Sequence, residues 1–319
     1  MNFCKKILWA TTLSLSTGMA SATPEPPEDT ATAAVDTSTE RRNGITTFRE
    51  RISLRFLCNY NFVAIWNSAY GKEALISNRP VDIGIGFGYD DLFSLFGTSW
   101  DFSWDLKFSL PFTYSDDKAR SIAFELGLDF FPNDWWLEAY ISSNRGFNAK
   151  SEDHWEYVDL QVIDIYLSTL WMATAYGKFS PRSAYFLDRR QATSAGSMII
   201  GGRLQRNIVD DMDNILAYYD ERRDITCLWT DLGYTYSWVF DNGFFVNLWG
   251  IMGIAAGNAS GSQGYAFLPE IDGKMAVGYL GEKWSWNTVL KTNYSTILYS
   301  SRREQKVANA FEILVVRRF

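Results

Sequence analysis

Residues 100–110 read Trp-Asp-Phe-Ser-Trp-Asp-Leu-Lys-Phe-Ser-Leu, so every even position is apolar and every odd position is charged or serine. Only a β-strand sorts its side chains with period two. The apolar face, with Trp100, Phe102, Trp104, Leu106 and Phe108, is too greasy for a surface in water. The other face carries Asp101, Asp105 and Lys107, which a dry core would reject. One face toward lipid and one toward water satisfies both. Repeated along a chain, that pattern predicts an all-β fold, a transmembrane antiparallel β-barrel with apolar groups outside and polar groups in its lumen.

The pattern does repeat. Residues 51–63 set Ile52, Leu54, Phe56, Cys58, Tyr60 and Phe62 against Arg51, Ser53, Arg55, Asn59 and Asn61. Residues 81–89, 122–130 and 135–142 alternate in the same way, with a turn at 131–134 between the last two. Weaker segments follow at 164–177, 182–190, 195–206, 229–240, 244–256, 270–281, 284–296 and 307–319, two of them joined by the hairpin signal Asp241-Asn242-Gly243. That makes thirteen candidates, whereas single-chain barrels have an even count with both termini on the periplasmic side. Twelve strands are expected, with ten or fourteen as alternatives, and the polar stretch 206–226 is the expected place of the miscount. Short connections at 131–134, 241–243 and 281–283 would face the periplasm. Longer ones near 66–79, 146–163, 257–269 and 297–306 would face outward. Trp66, Tyr89, Trp100, Trp135, Trp284 and Trp286 suit the aromatic girdles at the two interfaces. A soluble β-sandwich or lipocalin-like barrel is the competing fold, and it would have to bury all of these aromatics inside.

The ends of the chain point to the same compartment. Lys5 and Lys6, an apolar run broken by hydroxyl residues, and Ala20-Ser21-Ala22 have the form of a cleaved secretory signal over residues 1–22. Residues 23–44, rich in Pro, Thr, Ala and acidic side chains, are expected to be a disordered periplasmic tail, leaving 45–319 for the barrel. The final strand ends in an aromatic, Phe319, as in the sorting signal read by the outer-membrane assembly machinery, although Arg317 stands where an apolar residue is usual. A Gram-negative outer membrane is therefore the expected location, with its lipids and that machinery as partners. The chain has 37 Asp and Glu against 30 Lys and Arg, which argues against a nucleic-acid partner. Cys58 and Cys227 are expected to be free thiols, since a bond would require a chance match of position.

Little conventional catalytic chemistry is present. The sole histidine, His154, falls in an expected loop, and no Gly-x-Ser-x-Gly elbow, paired-histidine or Cys-x-x-Cys motif occurs. No enzyme activity, metal or cofactor is expected; a lipid-acting enzyme would depend on His154. Gly84, Gly86 and Gly88, on one strand face, fit a smooth patch of wall where a loop or large side chain approaches closely. The lumen is the best functional candidate. Alternation assigns it Arg51, Arg55, Asp82, Asp101, Asp105, Lys107, Glu125, Asp129 and Glu138, then Arg203, Lys274, Lys291 and Glu312. Opposed acids and bases there would either line a porin-like pore for small polar solutes or pair into a closed network.

Residues 179–202, Phe-Ser-Pro-Arg-Ser-Ala-Tyr-Phe-Leu-Asp-Arg-Arg-Gln-Ala-Thr-Ser-Ala-Gly-Ser-Met-Ile-Ile-Gly-Gly, resemble the central motif of an uncharacterised, domain-of-unknown-function family of outer-membrane barrels. In that motif a strand with a basic and glutamine end leads into a Ser-Ala-Gly-Ser strand. Glu138, Tyr140 and Arg145-Gly146-Phe147 resemble an earlier segment of the family, and residues 233–246 a later one. The resemblance spans about residues 45–319 and implies the barrel, but no activity. It adds Arg189, with Arg190, Gln191 and Ser197, as positions to test; their simpler role is to pair with lumen carboxylates or shape a turn. A narrow channel or passive facilitator for small polar solutes is the first expectation. A non-conducting or adhesin-like barrel, binding a partner through its loops, is the second.

Overall fold

The computed structural model describes residues 44–66, 74–95, 98–110, 118–151, 154–174, 178–211, 222–259, 266–299 and 302–319. The expected signal sequence lies outside them, as does the expected tail up to residue 43. The strands are β1 (Ile45–Thr47), β2 (Ile52–Trp66), β3 (Ala74–Ile76), β4 (Val81–Leu95), β5 (Thr98–Ser109), β6 (Ile122–Pro132), β7 (Trp135–Ser151), β8 (His154–Thr174), β9 (Arg189–Gln191), β10 (Ala195–Asp211), β11 (Arg222–Val239), β12 (Phe244–Ala259), β13 (Ala266–Leu280), β14 (Trp284–Tyr299) and β15 (Arg302–Arg318).

Twelve of these, β2, β4–β8 and β10–β15, pair antiparallel with their neighbours, and β15 closes the ring on β2 from Gln305↔Trp66 to Arg318↔Ser53. Closure leaves no strand edge unpaired, which is the condition for sheet to exist in lipid. Eleven residues in the shortest wall strand, β6, and twenty-one in the longest, β8, suffice to cross a hydrocarbon core. Above the β5–β6 hairpin the ring is completed by β3, which pairs with β2 through Ala64↔Ile76 and with β7 through Leu75↔Ala149.

Side chains are sorted by face in the reverse of a soluble protein. Phe56, Tyr60, Leu167, Leu228, Leu232, Met252 and Ile254 lie exposed on the outside, while Arg55, Asn59, Asp82 and Glu312 are buried inside. Trp135, Trp238, Trp284 and Trp286 stand exposed near the end where β2 begins and β15 finishes. Trp66, also expected in a girdle, has no described side chain. The protein is a barrel of the outer-membrane type, crossing lipid with strands, the short β6–β7, β11–β12 and β13–β14 connections at its periplasmic end. At that end Phe319 N–H donates to Ile52 O at 2.9 Å. Arg317, the residue out of pattern, faces outward in register with Trp284, its guanidinium 5.0 Å from the Trp284 and Phe319 rings.

Three expectations of the sequence are corrected. The miscount lies at 182–190, which enters the lumen and is not a wall strand, and not at 206–226, where β10 and β11 extend the wall on both sides of residues 212–221, which lie outside the described residues. Residues 146–163 form no open loop: β7 and β8 run on as a hairpin, with His154 exposed at the start of β8. A bulge hides this, because the register shifts between Arg145 and Phe147 around Gly146, whose φ is 85°, and the period-two phase slips there. Arg51 precedes β2 and is exposed at the periplasmic rim, outside the lumen. The two cysteines are free and face opposite sides of the wall, Cys58 exposed outside and Cys227 buried within.

Candidate functional site: a re-entrant segment beneath a charged cavity

Between β8 and β10 the chain turns into the barrel. After Pro181, residues Arg182–Phe186 form one π-helical turn, ended by Leu187 in the left-handed region at φ 56° and ψ 27°. A branched residue adopts that conformation only where its surroundings dictate it, and Leu187 is fully buried. Its carbonyl accepts from Arg318, and the Ala184 carbonyl accepts from Asn287 Nδ2 at 2.6 Å. β9 then pairs with β1 through Ile45↔Gln191, Thr46↔Arg190 and Thr47↔Arg189, so the N-terminal segment is tied to the same structure. Phe48 continues it, stacked 3.4 Å below the Arg318 guanidinium.

Apolar and ionic contacts both seat this segment. Phe186 meets Phe131 and Trp136 at centroid distances of 5.0 and 5.4 Å, while Ala184 and Leu187 pack with Phe48, Leu57, Phe245, Leu314 and Val316. Arg182 reaches Asp90 at 2.5 Å and Asp188 at 2.7 Å and also pairs with Asp101. Arg189 reaches Asp90 and Asp101, each at 2.7 Å. Two guanidiniums thus join the segment to two carboxylates of the wall. Burial alone would lower the Arg182 pKa, but Asp188, Asp90 and Asp101 around it raise it well above the usual arginine value. The glycine ladder makes room within the wall beside the segment: a Cβ on Gly86 would strike Asp105 and lie 2.8 Å from the Trp104 carbonyl, and one on Gly88 would strike Ser53, with Asp188 of the segment at ordinary contact distance, 3.5 Å.

Above the segment lies a cavity of about 440 Å³. Its wall holds one continuous ion-pair chain: Arg79 with Asp82 (2.6 Å) and Glu125 (3.4 Å), Lys107 with Glu125 (3.6 Å) and Glu312 (3.2 Å), and Lys291 with Glu312 (2.8 Å). Across the lumen Arg203 pairs with Glu270, and Lys306 with Asp164 at 3.0 Å. At the floor the Lys274 ammonium faces Trp136, Tyr185 and Trp249 at 5.7, 5.8 and 5.2 Å. Toward the extracellular end the inward side chains turn apolar, with Ile65, Leu75, Phe147, Val158, Val209 and Ile225 in one cluster.

Of the residues assigned to the lumen from sequence, Asp105, Lys107, Glu125, Asp129, Glu138, Arg203, Lys274, Lys291 and Glu312 line this cavity. Asp82 is buried beside it on Arg79, and Arg55 is buried below it, donating to Phe87 O at 2.9 Å with Asp105 at 3.3 Å. Asp101 and Arg189 belong to the latch under the cavity, Arg189 on the segment and not on the wall. Arg190 reaches Glu282 at 2.8 Å, Gln191 Nε2 donates to Thr193 O at 2.9 Å, and Ser197 is buried on β10. Sequence reasoning missed Arg182, Asp90, Asp188 and Arg318, and also the inward Trp229 and Trp249, whereas alternation sets Trp136 on the face of Glu138. Parity was the available signal for the two missed tryptophans, which share phase with Asp231 and Asn247 on their strands.

Similar folds occur among solved outer-membrane structures. The β domain of the Bordetella autotransporter Brka is 9% identical, with a TM-score of 0.45 over 84% of this chain and 99% of that one. The translocator domain of the autotransporter NalP from Neisseria meningitidis is 11% identical, with a TM-score of 0.48 over 84% and 88%. The transport unit of the autotransporter AIDA-I from Escherichia coli is 13% identical, with a TM-score of 0.39 over 85% and 91%. No curated protein matches the sequence. A family profile does match over residues 71–314, most of the chain, and the protein belongs to that family of outer-membrane β-barrels, described as a domain of unknown function, DUF4421.

Proposed function

We propose that this barrel is a narrow, gated facilitator for a small polar solute, closed at rest by residues 178–194. The observation that carries this reading is the latch: Arg182 and Arg189 hold the segment to the wall through Asp90 and Asp101, beneath a cavity of about 440 Å³ lined by charged side chains. Side chains alone can fill a small barrel. A separate segment brought in from the periplasmic side, seated by ion pairs, is what a removable closure requires.

Planar-bilayer conductance tests it. The wild-type barrel should show rare, brief steps, and the Asp90→Asn/Asp101→Asn variant, which takes two anionic partners from Arg182 and both from Arg189, should show frequent, long-lived ones. If the variant is folded and as silent as the wild type, the facilitator reading fails and a non-conducting scaffold takes its place.

A further inference from the structure

We infer that the mid-lumen cavity binds a zwitterion the size of an amino acid or dipeptide, its ammonium on Asp129 and Glu138 and its carboxylate on the indole N–H of Trp249. This rests on reading the lumen as a solute site and adds the chemical class of the solute.

Asp129 and Glu138 are directly opposed across β6 and β7, and both line the cavity. Like charges in that position repel. Among the described residues neither carboxylate has a salt bridge. Asp129 accepts from Trp136 Nε1 at 2.8 Å, and Glu138 from Tyr166 Oη at 2.9 Å. The nearby Lys274 is turned onto aromatic rings, and its ion pair is with Asp272 at 3.7 Å. The pair therefore offers acceptor capacity to a cation that the wall does not provide.

Donors of the opposite kind are left over close by. Trp229 and Trp249 are each 4% exposed and line the cavity, yet neither indole N–H has a hydrogen-bond partner. Buried donors are seldom left so. Trp249 lies 5.9 Å from Trp136, the ring that holds Asp129. Trp229 lies 4.8 Å from the Arg203 guanidinium, which is 5.6 Å from Tyr166, the ring that holds Glu138. Trp249 thus stands near the acid pair, whereas Trp229 is in register with Ala255, six residues along β12 from Trp249, and belongs to the Arg203 end of the cavity. A simple cation would leave the Trp249 indole unpaired, and a simple anion would leave the acids opposed. A ligand carrying both signs satisfies both at once, and the volume lies in the range of small-molecule sites.

Isothermal titration of the refolded full-length barrel, wild type and Asp90→Asn/Asp101→Asn, tests this without any need for conduction. L-Alanyl-L-alanine is the probe; N-acetyl-L-alanine, L-alaninamide and sorbitol are the controls. The dipeptide should bind at least about tenfold more tightly than each control, since a site built to pair a group rejects the analogue lacking it. Glu138→Gln, close to isosteric, and Trp249→Phe, which keeps a ring but loses the N–H, should each weaken the dipeptide about tenfold. Equal binding of all four compounds, or no dipeptide binding by either folded barrel, would overturn the inference and leave ordered water as the partner of the indoles. Dipeptide binding by a barrel that never conducts would uphold the site and defeat the facilitator reading alone.

Discussion

Replacing Arg182 by alanine should unseat residues 178–194 while leaving the barrel standing. The substitution strips Asp188 of its 2.7 Å ion pair and leaves Asp90 and Asp101 to share Arg189. Breaking a buried ion pair from one side costs about 3–5 kcal/mol, because the stranded carboxylate stays desolvated. The wall strands take their hydrogen bonds from one another, so that cost falls on local opening of the segment more than on global unfolding. Amide hydrogen exchange separates the two. The Ala192 amide, which donates to Gly44 O at 2.7 Å, should lose about two to three powers of ten in protection, while amides of β11–β14 keep theirs. Arg182→Lys retains the charge without the planar fork and should fall between. Unchanged protection at Ala192 would mean that Phe186, Leu187 and their apolar neighbours seat the segment unaided.

How much was legible follows from which solvents each face meets. Along β5 and β15, lipid outside and a wet lumen inside impose opposite demands on alternate residues, so period two survives in the sequence and even names the inward Asp105, Lys107 and Glu312. Inside the lumen that logic ends. Except for Tyr185 and Arg190, residues 182–190 are buried, Ala184, Phe186 and Leu187 alongside Arg182, Asp188 and Arg189, and no period distinguishes them. Bulges removed a second part of the signal. Gly146 shifts the phase and concealed the full length of β7 and β8, and the irregularity at Asp91, at φ 55°, ends the visible alternation of β4 at Tyr89, although Asp90 itself keeps phase with Asp82 and Gly88. Trp229 and Trp249 were obscured by a different rule, since aromatics on barrel strands belong mainly to the girdles. Their partners in phase, Asp231 and Asn247, mark both as inward.

Leu232→Arg is expected to be the most damaging single change on the outer face. Leu232 is 53% exposed in the middle of β11, flanked in register by Ile200 on β10 and Met252 on β12, both also exposed. In water such an arginine would be nearly neutral, as surface substitutions usually are. At the midplane of a bilayer it costs about 2–4 kcal/mol, falling to about 0–1 kcal/mol near the interfaces. Thr226, exposed on the same face nearer the extracellular end of β11, supplies the depth control, and Thr226→Arg should be close to neutral. Urea unfolding of each variant from phospholipid vesicles measures the difference. The two arginines therefore differ by depth alone: hydrocarbon offers the guanidinium at position 232 no partner, whereas the one at position 226 reaches headgroups and water.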